Sequence, residues 1–213
     1  MSLATLPHTP GHAHMPAAKL GLLFFMLVAS AIFFLLTIAY LARAQLADWQ
    51  SLGGESWRPL SASNLPWFNT LLLLIASLAL QRARNAMVLG KLMRARHAFI
   101  AGGVLAIGFV VGQLALWQQL TARGFPIDAN PANSFFYLIT ALHGLHLIGG
   151  IVAWGSTVAR FGQGALITAR LQLRVELCSL YWHFLFVVWL AMFALLSSPR
   201  ETLDQLAGLC GLR

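Results

Sequence analysis

Five long apolar segments dominate this sequence and limit the folds that it can adopt. They cover residues 20–41, 66–80, 99–116, 135–158 and 175–196. A helix of about 20 apolar residues crosses the hydrocarbon core of a bilayer, which is about 30 Å thick. Hydrophobic residues make up 59% of the chain and charged residues 9%, whereas about a quarter of a soluble domain is charged. The sequence therefore predicts an all-α integral membrane protein with five transmembrane helices.

The segments outside this apolar region divide the chain into three parts. Residues 1–18 contain three histidines and three prolines and are interpreted as a flexible N-terminal tail. Residues 19–198 form the membrane domain, and residues 199–213 form a C-terminal tail. The first apolar segment is too long for a signal-peptide core and has no basic region before it, so we interpret it as a retained span.

The distribution of basic residues predicts the orientation of the helices. Nine of them fall on one side of the five spans: Lys19, Arg82, Arg84, Lys91, Arg94, Arg96, Arg160, Arg170 and Arg174. The positive-inside rule places this side in the cytoplasm together with the N-terminus, and it places the C-terminus on the outer side. We expect a bacterial inner membrane, for which the outer side is the periplasm. Topology and anionic lipids then account for the net charge of +8. Nothing in the sequence resembles a nucleic-acid-binding module, so nucleic acid is not predicted as a partner.

Three histidines lie within the predicted spans, where an ionisable side chain often marks function. His146 and His183 fall at similar depths in the antiparallel fourth and fifth spans, and His143 shares a helix face with His146. The two imidazoles could therefore approach each other. They could act as axial haem ligands, form part of a proton path, or be neutral groups whose hydrogen bonds lock helices together. The last interpretation is favoured because a short loop joins the two helices and aromatic residues such as Tyr181 flank the site.

Glu176 is the carboxylate most suited to a position inside the membrane. Arg174 is two residues away and lies on a different helix face, so the partner of Glu176 is expected on the fourth span or in another subunit. We group five residues as a candidate structural polar network: His143, His146, Glu176, Tyr181 and His183.

Pairs of small residues with a spacing of four occur in two of the spans. Gly108 and Gly112 form one pair in the third span, and Gly149 and Ala153 form another in the fourth. Such pairs let helix backbones approach closely in lipid, so both are predicted to serve helix packing.

Four stretches of the chain, taken in order, resemble motifs of subunit III of the haem–copper respiratory oxidases, which include cytochrome c and quinol oxidases. They are LPWFNTLLLLIASL (65–78), GQLALWQQL (112–120), NSFFYLITALHGLHLIGG (133–150) and VELCSLYWHFLFVVWLAMF (175–193). The most specific features are HGLH and the YWHF motif with its upstream glutamate. The resemblance covers nearly all of the chain beyond the N-terminal tail. The form of the subunit that the chain resembles is the short one with five helices.

The resemblance implies a subunit that is not itself an enzyme and binds no redox cofactor directly. Haem and copper would reside in partner subunits of the respiratory chain, and this chain would pack on subunit I and bind phospholipid. Helices 1–2 and 3–5 would enclose a V-shaped, lipid-filled cleft, which the basic segment from Gln81 to Ala98 would permit. Arg82, Arg84 and Arg96 are candidates for contacts with lipid headgroups.

The sequence also departs from the family pattern at three acidic positions. The family has carboxylates in its first, third and fifth core helices where this chain has Ala31, Leu116 and Phe186. A role in proton uptake that depends on those acids is therefore not expected, and by this measure the chain resembles a divergent member of the family.

Two other functions remain open from the sequence. One is an accessory protein of a nitric-oxide reductase, which resembles subunit III and shares the five-helix pattern. The other is an independent transporter or channel that uses His143, His146 and His183 as a relay. The sequence does not distinguish cytochrome c from quinol as the electron donor of a partner oxidase.

Overall fold

The protein is all-helical over the residues that the computed structural model describes, which are 16–52, 60, 63–161 and 168–211. The six helices are α1 (Ala17–Ala44), α2 (Leu65–Val88), α3 (Leu92–Ala122), α4 (Pro131–Phe161), α5 (Ala169–Ser197) and α6 (Arg200–Leu209). The first five are long and apolar enough to cross a membrane, which confirms the predicted spans. Residues 1–15, most of the predicted N-terminal tail, lie outside the described residues.

The connection between α2 and α3 is shorter than the sequence analysis assumed. Helix α2 continues through the basic residues to Val88, and α3 begins at Leu92, so only residues 89–91 join them. Gly90 makes the turn at a φ of 71°, a backbone conformation that side-chain-bearing residues rarely adopt. A connection of this length makes α2 and α3 antiparallel neighbours.

The predicted division of the helices into a pair, 1–2, and a triplet, 3–5, is therefore wrong. Helix α2 packs on α3 and also on α5, and α4 packs on both α3 and α5. These four helices form one bundle, whereas α1 lies outside it against α4, α5 and α6. A cleft between helices 1–2 and 3–5 has no place in this arrangement.

Small residues allow the close approach of α3 to its neighbours. A Cβ atom added at Gly102 would lie 2.7 Å from Leu80 Cγ, and one added at Gly112 would collide with the side chain of Asn69. On another face of α3, the indole of Trp154 covers Gly103 and donates a hydrogen bond of 2.8 Å to the Phe99 carbonyl. The glycines of α3 thus serve packing against α2 and α4, as predicted for Gly112.

Helix α6 is an element that the sequence analysis did not predict, because it lies in the segment assigned to the C-terminal tail. It buries Leu203 and Ala207, and it packs on α1. The Gln45 amide donates to Asp204 at 3.3 Å, and the Arg200 guanidinium donates to the Trp49 carbonyl at 3.2 Å. These polar contacts hold α6 against the end of α1.

Helix α1 has the most exposed apolar surface of the five spans. Only 11% of its most apolar stretch is buried, and Phe24, Leu27, Phe34 and Leu35 are each more than 60% exposed. In a membrane such a face meets acyl chains or another subunit, so its exposure does not conflict with stability.

Candidate functional site

Glu176 binds two cations that come from two other helices. Its carboxylate lies 2.9 Å from Lys19 Nζ of α1 and 3.6 Å from Arg84 Nη2 of α2. The expectation of a partner on the fourth span or in another subunit is therefore wrong. The carboxylate is 28% exposed, so each pair contributes about 1 kcal/mol or less to stability. The main effect of these ion pairs is to fix the positions of helices, because the Glu176 carboxylate joins α1, α2 and α5 at one point.

His183 links α5 to α2 through both of its ring nitrogens. Nε2 lies 2.9 Å from Gln81 Oε1, and Nδ1 makes a short hydrogen bond with the Ser77 hydroxyl. A carbonyl oxygen can only accept, so Nε2 carries the proton and Nδ1 of the neutral ring accepts from Ser77. The Ser179 hydroxyl also donates to Gln81 Oε1, at 3.3 Å. The imidazole is thus held in a polar contact between two helices of the bundle.

His146 faces α1 rather than His183. Its Nδ1 donates to the Leu142 carbonyl of its own helix at 2.8 Å, and its ring centroid lies 5.5 Å from Phe33 and 5.9 Å from Phe25. The Tyr181 hydroxyl donates to the His146 carbonyl at 3.0 Å and so joins α5 to α4. The arrangement places the two imidazoles in different contacts, so they do not form a facing pair for haem.

His143 lies in the interior of the bundle and is fully buried. Its ring centroid is 5.5 Å from Trp189 and 6.0 Å from Phe109, and it also contacts Phe33. The five residues of the predicted polar network therefore belong to separate sets: Glu176 with its cations, His183 with α2, the Tyr181 contact with His146, and His143 among aromatic rings.

The predicted lipid-headgroup residues lie on the basic side of the bundle, near the α2–α3 connection. Arg82 is exposed, Arg96 is half-buried, and Arg84 points toward Glu176. Arg84 is therefore only partly available for a headgroup.

The three positions at which the family pattern has carboxylates differ in their surroundings. Ala31 is exposed on α1, Leu116 is 1% exposed in the core, and Phe186 is half-buried against the core. An ionised group at Leu116 would be desolvated at high cost, so an apolar residue suits this position.

A cavity of about 360 Å³ lies between α1, α4 and α5, and the sequence analysis did not predict it. We call it the α1–α4–α5 cavity. Its lining residues are Leu22, Phe25, Gly149, Ala153, Ser156, Thr157, Arg174, Leu177, Cys178 and Tyr181.

Gly149 and Ala153 form part of the wall of this cavity. They are exposed, and a Cβ atom at Gly149 would meet nothing within 4 Å. Their predicted role in helix packing within this chain is therefore wrong, because the small side chains leave space instead. The pair of small residues was the one sequence signal that could have indicated the cavity.

Chemically, the described residues offer hydrogen bonds, ion pairs and apolar surface. No group of three or more His, Cys, Asp or Glu residues that could hold a metal ion occurs among them. The site residues thus position helices and line a cavity.

Known proteins of similar sequence indicate one family. The sequence model of the family "Cytochrome c oxidase subunit III" matches residues 5–197. A probable cytochrome c oxidase subunit 3 of Mycobacterium tuberculosis (strain ATCC 25618 / H37Rv) is 31% identical over 127 residues, which cover 60% of this chain and 62% of that protein. This chain thus spans less than two thirds of the mycobacterial relative's length.

Two further relatives align over more of the chain. The cytochrome c oxidase subunit 3 of Synechocystis is 29% identical over 88% of this chain and 80% of its own length. That of Triticum aestivum is 32% identical over 86% of this chain and 70% of its own length.

Proposed function

Because this chain belongs to the cytochrome c oxidase subunit III family, we propose that it is the non-catalytic subunit III of a haem–copper terminal oxidase. It packs on the catalytic subunit I, which with other subunits carries the haem and copper, and it binds membrane phospholipid. The observation that carries this proposal is the family match over nearly the whole chain, together with five helices that can span a membrane.

The distribution of charge supports an orientation for the subunit. Nine of the fourteen basic residues lie at the end of α2, in the α2–α3 connection, at the end of α4 or at the beginnings of α1, α3 and α5, so this side faces the cytoplasm of a bacterial inner membrane. The C-terminus and α6 are then periplasmic. Arg82 and Arg96 lie at the depth of anionic headgroups of the cytoplasmic leaflet.

The α1–α4–α5 cavity is the proposed site for a phospholipid acyl chain. Its walls are mainly apolar, and exposed Arg174 lies on its basic side, one turn of α5 from Cys178. An acyl chain would cover Gly149 and Ala153 while the phosphate binds Arg174, because a guanidinium can form paired hydrogen bonds with phosphate oxygens. This site takes the place of the cleft that the sequence analysis expected.

Purification of the tagged protein from its native membrane in mild detergent tests the proposed complex. We expect oxidase subunits I and II to co-elute, together with the haem absorption bands of the oxidase. Recovery with nitric-oxide reductase subunits would replace the proposal with the accessory function. Recovery of the chain alone, combined with proton flux after reconstitution, would favour an independent transporter.

Filling the cavity tests the lipid site. We expect Gly149→Leu to remove one tightly held phospholipid per complex, because the new side chain would occupy the space of the acyl chain. The measurement is quantitative mass spectrometry of lipids that remain after extensive detergent exchange.

The matched control for this experiment is Gly144→Leu on the same helix. Gly144 also has open space around it but lines a different cavity, between α3 and α4. An equal loss of phospholipid from both variants, or from neither, would contradict the assignment to the α1–α4–α5 cavity.

A further inference from the structure

Three buried polar side chains from three helices in the interior of the bundle have no hydrogen-bond partner in the described part of the chain. Asn69 of α2 and His143 of α4 are 0% exposed, and Gln113 of α3 is 5% exposed. Neither the amide atoms of Asn69 and Gln113 nor the ring nitrogens of His143 have a hydrogen-bond partner among the residues that the structure describes. A buried polar group without a partner costs about 1–3 kcal/mol, so three of them on the same side of the helix midpoints require an explanation.

Contacts with Trp189 place Asn69 and His143 at one level of the bundle. The Trp189 indole donates to Thr70 Oγ1 at 2.9 Å, and Thr70 is the neighbour of Asn69. On its other side, the Trp189 ring lies 5.5 Å from His143 and 4.8 Å from Phe109. Helices α2, α3, α4 and α5 therefore all contribute side chains to this level of the bundle around Trp189, which we call the layer.

Gln113 joins the same layer from α3. It follows Gly112, against whose backbone the Asn69 amide is packed, and it lies one helical turn from Phe109. From the helical rise, the three polar residues lie roughly 4 to 11 Å from the midpoints of their helices, all displaced toward the α6 side. The half-thickness of the hydrocarbon core is about 15 Å, so the layer lies within it.

The layer also has room for small molecules beside it. A cavity of about 260 Å³ between α3 and α4 reaches the layer at Phe109 and Gln113, its lining is mainly apolar, and it does not extend to Asn69 or His143. Buried water needs space and two to four polar partners, and such water commonly satisfies groups of this kind.

The polar side chains of the layer are suited to a neutral ligand. One imidazole and two amides, with no thiolate or carboxylate among them, are a poor ligand set for a transition metal. A bound ion would also lack an opposite charge in the layer, and a buried charge without one is costly. Water is neutral and can both donate to and accept from amides and imidazole.

We propose that Asn69, Gln113 and His143 bind a cluster of ordered water molecules that links α2, α3 and α4 inside the hydrocarbon region. The cluster is an internal binding site of the subunit, distinct from its ion pairs and from the α1–α4–α5 cavity. It holds for this chain whichever respiratory enzyme the subunit joins, so its test is independent of the proposed function.

A double-mutant cycle tests the shared water. Gln113→Met and His143→Leu, alone and together, are compared by unfolding of the full chain in mixed detergent micelles. Groups that share bound water are coupled, so we expect the double variant to differ from the sum of the single variants by about tenfold in the unfolding equilibrium constant.

The control cycle pairs Gln113→Met with Ser179→Ala. Ser179 is equally buried, but its hydroxyl bonds to Gln81 at the α2–α5 contact. This cycle should be additive within about twofold. Additivity in the test cycle as well would overturn the proposal.

A density map of the wild-type complex provides a second measurement, which does not require any variant to fold. Electron cryo-microscopy at a resolution sufficient to show water should reveal peaks within hydrogen-bond distance of the Gln113 amide, the Asn69 amide and the His143 ring. Direct bonds between these side chains, or a layer without water peaks, would overturn the proposal.

Discussion

Replacement of Gly103 by alanine is expected to lower the free energy of unfolding by about 2–4 kcal/mol. The added Cβ would collide with the indole of Trp154, which packs directly on the glycine. The ring would have to move, and its hydrogen bond to the Phe99 carbonyl would be lost. This cost exceeds the gain of about 1 kcal/mol that alanine brings to a helix in place of glycine. Unfolding in mixed detergent micelles measures the change.

Gly108→Ala is the matched control on the same helix. A Cβ atom at Gly108 would lie 3.7 Å from Leu72 Cδ1, which is an ordinary contact. We expect this variant to be unchanged or slightly more stable, because alanine has the higher helix propensity. If both variants were equally destabilised, the close contact between Gly103 and Trp154 could not be the cause.

Replacement of His183 by alanine is expected to cost about 2 kcal/mol. The change removes the two hydrogen bonds by which α5 holds Gln81 and Ser77 of α2, and it leaves space between the helices. In the purified complex we expect lower stability in detergent and weaker assembly, while the haem absorption spectrum stays unchanged. Loss of a haem band would contradict a structural role.

His146→Ala provides the comparison for His183. Its imidazole bonds to a carbonyl of its own helix, so the truncation breaks no hydrogen bond between helices. The expected cost is less than about 1 kcal/mol. A larger effect than that of His183→Ala would show that the contacts of His146 with α1 carry more stability than the bonds to α2.

The five spans could be predicted because long apolar segments have few alternatives in a bilayer. The ends of the helices were harder to predict from the sequence. Helix α2 continues beyond its apolar segment through Gln81 and Asn85 because helical hydrogen bonding does not require apolar side chains. Helix α6 was missed for a related reason, since its short amphipathic sequence is stabilised by contacts with α1 that appear only in the folded chain.

The partners of the polar residues could not be predicted, because depth along a helix does not give its rotation or its neighbours. Similar depths suggested that His146 and His183 could approach each other, but the rotation of α5 turns His183 toward Gln81 of α2. Likewise, Glu176 pairs with Lys19, which is 157 positions away in the sequence. The resemblance to a known family identified the class of subunit, but it did not give these contacts.

The position of α1 outside the bundle has a consequence for biosynthesis. Helix α1 leaves the ribosome before the other four spans, yet it packs mainly on α4, α5 and α6, which are made after α2 and α3. The face of α1 that packs on these helices therefore meets lipid until α4 and α5 have been made. The α2–α3 pair, joined by three residues, can form much earlier. The packing of α1 onto the bundle therefore follows the formation of the α2–α3 pair.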